Sequence, residues 1–205
     1  KSHPLKNLYL GFKEKKINLK LLSKKFKVQK INNTDVIVKK LVEGKIVGMF
    51  NDRAEFGARA LGNRSILADP RKAEMKDILN EKIKHRESFR PFAPSILEEY
   101  VSEYFELDVP SPYMLLVAKI KKPDKIPAVT HIDGTGRLQS VSKNVNPLYY
   151  DLINEFHKIT GVPVIINTSM NVMGEPIVNT PEQAHAMILK TDMDYLVLGD
   201  FILTK

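Results

Sequence analysis

Residues 55 to 65, EFGARALGNRS, hold two arginines, Arg59 and Arg64, and two glycines, Gly57 and Gly62, directly after the apolar run KIVGMF. Arg53 precedes them beside Asp52. A guanidinium is planar and permanently charged, and its fork matches phosphate or carboxylate oxygens. Glycine lets backbone amides come close to such a group. Two readings follow from the residue types, a solvated surface turn or a cradle for an anion, and composition leaves both open.

Three further polar clusters sit beside apolar runs, where ligand sites of α/β folds gather. KHRESFRP contributes Lys84, Arg86 and Arg90. Cations complement a helix C-terminus without any ligand; that accounts for Lys84 better than for Arg90, which stands in an extended Phe-Arg-Pro context. In VTHIDGTGR, His131 and Asp133 alternate and would share one side of a strand, with Arg137 beyond a glycine-rich turn. Two such ligands are too few to specify a metal. Asn167, Thr168, Ser169 and Asn171 follow VPVII, and suit either the turn's own backbone or the phosphates, ribose or base of a nucleotide. His157 and His185 fall inside predicted helices and read as structural or surface residues.

These clusters need elements to hold them. Residues 15 to 30 read as a basic helix running into a short strand, FKVQKI. NNTDVIVKKLVEGK reads as a helix stopped by Gly44, and KIVGMF as a buried strand. A long helix is expected over ADPRKAEMKDILNEKIKHRE, with Asp69 as cap, Pro70 in its first turn, and Met75, Ile78, Leu79 and Ile83 as its apolar stripe. YMLLVAKI and RLQSVS read as strands. NPLYYDLINEFHKITG is a helix capped by Asn146 and ended by Gly161, VPVIINTS a strand with a polar end, and TPEQAHAMILKT a helix with a capping box of Thr180 and Gln183. YLVLGDFIL closes the chain as a strand. Mixed strands and helices throughout point to an α/β or α+β fold.

The 205 residues suffice for a substantial core, and 43% hydrophobic with 27% charged residues is the balance of a globular chain rather than a disordered one. Apolar runs are too short to span a bilayer, so no membrane partner is expected. There is no cysteine, which removes disulfides and thiolate chemistry and suits a cytoplasmic location. The first residues carry neither an initiator methionine nor a signal-peptide core, as in a fragment or a processed chain. A formal charge of +8 asks for an anionic partner. The lysines of the N-terminal stretch read as solvated surface. No P-loop, dinucleotide fingerprint or nucleophile elbow is present, so nucleotide phosphates would have to be met by distributed arginines and lysines. Aromatic residues do not interleave with the basic ones as on an RNA-recognition sheet, and RNA is disfavoured as a partner.

Taken in order, EFGARALGNRSILADPR, FRPFAPSIL, VTHIDGTGRLQSV and TGVPVIINTSMNVMGEPIV resemble the C-terminal domain of the NodU/CmcH family of O-carbamoyltransferases, over about residues 44 to 200 with a looser echo at YLGF. The resemblance implies a YrdC-like α/β fold: a twisted mixed sheet with flanking helices and a basic concave face, over residues 31–205. Residues 1–30 would be an appendage or linker to a missing N-terminal domain. It implies binding of ATP, with Mg²⁺, and of carbamoyl phosphate, formation of carbamoyl adenylate, and transfer to an acceptor hydroxyl by that metal-dependent N-terminal domain. The alternative is a basic nucleotide- or RNA-binding module without catalysis of its own.

On the same resemblance Lys84, Arg86 and Ser169 are assigned as catalytic, and Arg59, Asn63, Arg64, Arg90, His131, Arg137, Asn167 and Asn171 as binding residues, with no protein metal ligand. Gly57 and Gly62 would allow backbone to approach phosphate, and Arg53 would serve only the fold. The chain departs from the family pattern at Asp52, Ala54, Ala58 and Met170, where Gly, Met, Pro and Phe are usual. Asp52 adds negative charge beside the anion cradle, and Met170 changes packing against the nucleotide.

Overall fold

Apolar runs bounded by turn residues become the strands of one eight-stranded mixed sheet. In this computed structural model, residues 6–13 and 25–205 are described; the basic helix expected before FKVQKI lies almost wholly outside them. The strands are β1 (Lys27–Lys30), β2 (Val47–Phe50), β3 (Arg64–Ala68), β4 (Ala93–Leu97), β7 (Gln139–Val141), β8 (Val164–Ser169), β9 (Tyr195–Leu198) and β10 (Phe201–Thr204). Their order is β1-β10-β9-β2-β3-β8-β4-β7, with β2–β9 and β4–β7 parallel and the other neighbours antiparallel. β5 (Val117–Lys119) and β6 (Thr135–Arg137) form a separate antiparallel pair.

Every residue of β2, β3 and β4 is buried, as expected of central strands covered on both faces. Helices α1 (Asp35–Val42) and α4 (Pro147–Thr160) pack against each other, α1 on β2 and α4 on β4 and β8. Helix α5 (Pro181–Lys190) packs on β2 and β9. The end signals act as their chemistry predicts. The Asn146 carboxamide accepts the Tyr149 amide at 3.1 Å, Gly161 closes α4 in the left-handed region, and Thr180 with Gln183 forms the capping box of α5. The mixed sheet with flanking helices is the architecture expected from sequence.

Four local expectations are corrected. The long helix after Asp69 does not form. Instead Asp69, buried, accepts the Arg71 amide at 2.9 Å and the Arg71 guanidinium at 2.6–3.0 Å. Only Met75–Ile78 (α2) is α-helical, and Leu79–Lys84 continue as a wider π-helical turn, closed by the Arg86 amide on the Asn80 carbonyl at 3.0 Å. FRPFAPS holds a strand that its prolines concealed: β4 includes Pro94, between β8 and β7. YLVLGDFIL is a hairpin, β9 and β10, folded at Gly199–Asp200. His131 and Asp133 belong to a turn, not a strand: the Asp133 carboxylate accepts the Thr135 amide at 3.0 Å and its hydroxyl at 2.7 Å.

Residues read with the N-terminal appendage also take part in the fold. β1 is an edge strand of the main sheet. Residues 8–12 run beside 54–56, joined by the Gly11 amide to the Ala54 carbonyl (2.9 Å), Ala54 to Phe12 (2.8 Å) and Phe56 to Leu8 (2.7 Å). A short helix α3 (Val101–Tyr104) and two 3-10 turns (Glu98–Tyr100 and Pro127–Val129) complete the described elements.

Candidate anion-binding site

The site residues expected from sequence fall into three groups. Arg86, Arg90, His131 and Arg137 line one open cavity of about 300 Å³, whose apolar walls include Phe92 and Val117. β6 brings Arg137 and β5 brings Val117, paired across the ladder. The π-helical turn brings Arg86, and the segment entering β4 brings Arg90. No carboxylate lines the cavity among the described residues. Arg90 is tied to Glu87 at 2.8 Å. The Arg86 guanidinium donates through Nε to the Asn80 Oδ1 at 2.7 Å and lies over the Phe92 ring, 4.9 Å from its centre.

Burial and the charge of Arg90 hold Arg86 below the ordinary arginine range. Burial and the charge of Arg59 do the same to Arg137, and its buried Nε has no partner. Burial, opposed by Asp133 and helped by Arg137, lowers the His131 imidazole below its ordinary range; its Nδ1 lies 3.1 Å from the Thr135 hydroxyl. Arg59 stands on the exposed loop beside this cluster. Positive charge crowded around a cavity that has no lining carboxylate is unfavourable in the free protein and favourable once an anion enters.

The second group surrounds Lys84. Its ammonium is 3% exposed and donates to the Ser169 carbonyl, the Asn171 carbonyl and the Asn171 Oδ1, each at 2.8 Å. The Ser169 hydroxyl donates to the same Oδ1 at 2.6 Å, and the Asn171 Nδ2 to the Glu175 carbonyl at 2.7 Å. Burial, with a smaller contribution from Arg86, pushes the Lys84 pKa down to about 7. Lys84 therefore faces its own chain, with its donors taken, and not the cavity.

The third group is internal. Arg64 is fully buried, with its guanidinium 3.6 Å over the Phe50 ring and donating to the carbonyls of Asn51 (2.7 Å), Asn63 (2.9 Å), Asp52 (3.1 Å) and Phe12 (3.4 Å). Burial lowers it to about 10, so it remains charged at neutral pH. Asn63 donates to the Arg53 carbonyl at 2.8 Å and accepts from Asn146 at 3.1 Å. Asn167 donates to the Ala60 carbonyl and the Gln139 Oε1 at 3.1 and 2.9 Å. These three shape the loop, and the Arg64 Nε, a donor among them without a partner, is sealed from solvent.

The 55–64 loop does cradle an anion, and the anion is its own Glu55. One carboxylate oxygen accepts the amides of Leu61 (2.6 Å), Asn63 (2.8 Å) and Arg64 (3.3 Å). Gly62 is required by packing rather than by phosphate. Its φ is +121°, and a Cβ there would lie 2.7 Å from the Tyr149 ring. Gly57, φ +122°, is an exposed turn with open space around it. Gly62→Ala is expected to cost about 2 kcal/mol or more, measured by denaturant unfolding, because strain and overpacking add.

Arg53 donates to the carbonyls of Gly11 and Leu10 at 3.1 and 3.2 Å, and Asp52 is paired with Lys13. Asp52 occupies the left-handed region, φ 39°, where glycine is at ease and aspartate is tolerated. Met170 is fully buried in the core.

The family described as "Carbamoyltransferase C-terminus" matches residues 38–205. The chain belongs to this carbamoyltransferase family. Nodulation protein NolO of Bradyrhizobium diazoefficiens is 50% identical over 170 residues, 80% of this chain and 31% of NolO. Nodulation protein U of Sinorhizobium fredii is 47% identical over 136 residues, 65% of this chain and 24% of its own length. The chain thus spans less than a third of these relatives. The crystal structure of full-length HypF in the phosphate- and nucleotide-bound form shares the fold, with a TM-score of 0.57 at 20% identity, covering 87% of this chain and 22% of HypF. Among the described residues of this carbamoyltransferase domain, no helix is long and apolar enough to cross a membrane.

Three residues that shape the site of the carbamoyltransferase domain escape sequence reading. Asn80, fully buried, holds Arg86 and donates to the carbonyls of Ser88 and Arg90 at 3.2 and 2.9 Å. Gln139 donates to the Leu61 carbonyl at 2.9 Å and accepts from Ser95 and Asn167. Glu55 is the third. For Asn80 and Gln139 a signal existed: each is an amide directly after an apolar leucine, Leu79 or Leu138.

Proposed function

We propose that this chain is the carbamoyl-activating domain of a longer O-carbamoyltransferase, binding ATP and carbamoyl phosphate to form carbamoyl adenylate. The observation that supports it best is the cavity of Arg86, Arg90, His131 and Arg137, basic and without a lining carboxylate. Family membership supports carbamoyl as the group transferred, and the nucleotide and phosphate named for the HypF structure are the ligand types this cavity suits.

In this reading carbamoyl phosphate is hydrolysed to carbamate and phosphate. A carbamate oxygen then bonds to the α-phosphorus of ATP as the bond to the β-phosphate bridging oxygen breaks, and pyrophosphate leaves with that electron pair. Arg86 and Arg137 neutralise the two anions that must meet, acting as preorganised charge that needs no solvent reorganisation. Arg59 and Arg90 extend the field to the leaving pyrophosphate, and His131 offers a hydrogen bond. The Ser169 and Asn171 turn adds polar groups for the nucleotide phosphates. Among the described residues no three acidic or histidine side chains are grouped to chelate a metal. Mg²⁺ would therefore be carried by phosphate oxygens and water. The acceptor hydroxyl, and the metal-dependent step that carbamoylates it, belong to the longer protein.

Calorimetric titration of the folded chain with MgATP is expected to show binding, and carbamoyl phosphate to trigger pyrophosphate release from ATP. A well-folded sample that takes up no ATP overturns the proposal. Salt-sensitive RNA binding that ATP does not displace would favour the RNA-binding alternative.

A further inference from the structure

Lys84 comes from one candidate site motif and its three shortest bonds end on another, with the Ser169 hydroxyl a longer fourth contact at 3.4 Å. The ammonium reaches the Ser169 carbonyl, the Asn171 carbonyl and the Asn171 carboxamide, all at 2.8 Å. The Lys84 carbonyl in turn accepts the Met173 amide at 3.0 Å. Residues 169–173 are thus wrapped around one buried side chain, and the Met170 amide on the Arg64 carbonyl (2.9 Å) anchors the same turn to β3. An ammonium has three protons, and here the turn's acceptors take all of them.

We infer that Lys84 is a positioning residue for the site, holding the Ser169–Asn171 turn in its ligand-ready form rather than contacting phosphate. The inference rests on the nucleotide-binding reading above. It also makes the turn responsive to pH. Lys84 titrates near 7, and the neutral amine keeps two protons for three acceptors. The charge that faces it from its own turn is Arg86; on the opposing turn Glu175 is already paired with Lys190.

The linkage sign separates this from an ordinary structural role. A lysine whose folded pKa lies below its unfolded value makes the folded state bind fewer protons than the unfolded chain between the two. Global stability therefore rises as pH climbs above about 7 toward the unfolded value of about 10.4. The hold on the turn weakens over the same first step. Fold stability and ligand affinity should move in opposite directions.

The test compares MgATP affinity of the chain and of Lys84→Met at about pH 6 and about pH 9, where the ratio between the two proteins cancels the titration of ATP itself. Lys84→Met should weaken binding about tenfold at the lower pH and much less at the higher. Backbone amides of Met170–Met173 should lose hydrogen-exchange protection in the variant without any ATP present. Lost affinity with those amides still protected would make Lys84 a direct phosphate ligand and overturn the inference. Unchanged affinity at both pH values would overturn it as well. Should Lys84→Met fail to fold, the unmutated chain decides: amide chemical shifts of Met170–Met173 must titrate with a midpoint near 7, and flat shifts overturn the inference. Absence of ATP binding by the unmutated chain would instead remove the functional reading, while the amide titration would still report on the turn.

Discussion

Arg137→Met should weaken MgATP binding by about ten- to a hundredfold, the loss of one or two charge-assisted hydrogen bonds, without lowering the melting temperature. The second half of this expectation is the more telling. Arg137 shares its cavity with Arg86 and Arg90, feels the charge of Arg59, and has a buried Nε with no partner. Among the described residues it makes no ion pair whose loss would leave a carboxylate stranded. Methionine keeps much of the aliphatic stem and removes a charge that burial and neighbours both disfavour. A variant that is as stable as the parent, or more so, and binds poorly identifies a residue retained for ligand at the expense of the fold. Calorimetry with thermal unfolding checks both halves. Intact ATP affinity, or a clear loss of stability, would remove Arg137 from the site.

Arg64→Met should have the opposite signature, destabilising by about 3–5 kcal/mol in denaturant unfolding. The guanidinium is sealed from solvent and organises the carbonyls of residues 12, 51, 52 and 63 around one centre. Removing it leaves buried acceptors unpaired, each costing about 1–3 kcal/mol where water cannot reach it. Lysine is a poor substitute, since a point charge does not reproduce two amino groups held in one plane. Whatever fraction of Arg64→Met folds should still bind ATP. A fully stable variant that has lost ATP binding would return Arg64 to the ligand set.

These two arginines show where sequence reading reaches its limit. Arg59, Arg64, Arg86 and Arg137 look alike as letters beside glycine, polar residues or proline. Arg64 sits on a central strand and turns inward to backbone carbonyls, whereas Arg137 sits on a short outer ladder and turns into a cavity. The same limit applies to Glu55. Glycines and arginines announced an anion cradle, but nothing local revealed that a carboxylate of the same loop, six to nine residues before its amide partners, fills it.

The amino-acid sequence determined what depends on short-range chemistry. Caps at Asn146 and Thr180, the stop at Gly161, the core strand after Val162 and the mixed α/β class follow from side chains acting on their own or neighbouring backbone. The motifs together also carried the family. Tertiary structure alone decided the rest. It converted the helix expected after Asp69 into a short helix and a π-helical turn, ran Pro94 through a sheet, and sorted the basic residues into those that face the cavity and those that hold the chain. That sorting depends on which strands become neighbours, and so on contacts between residues far apart in sequence; Lys84 meets Ser169 and Asn171 only because β8 ends beside the turn that carries it.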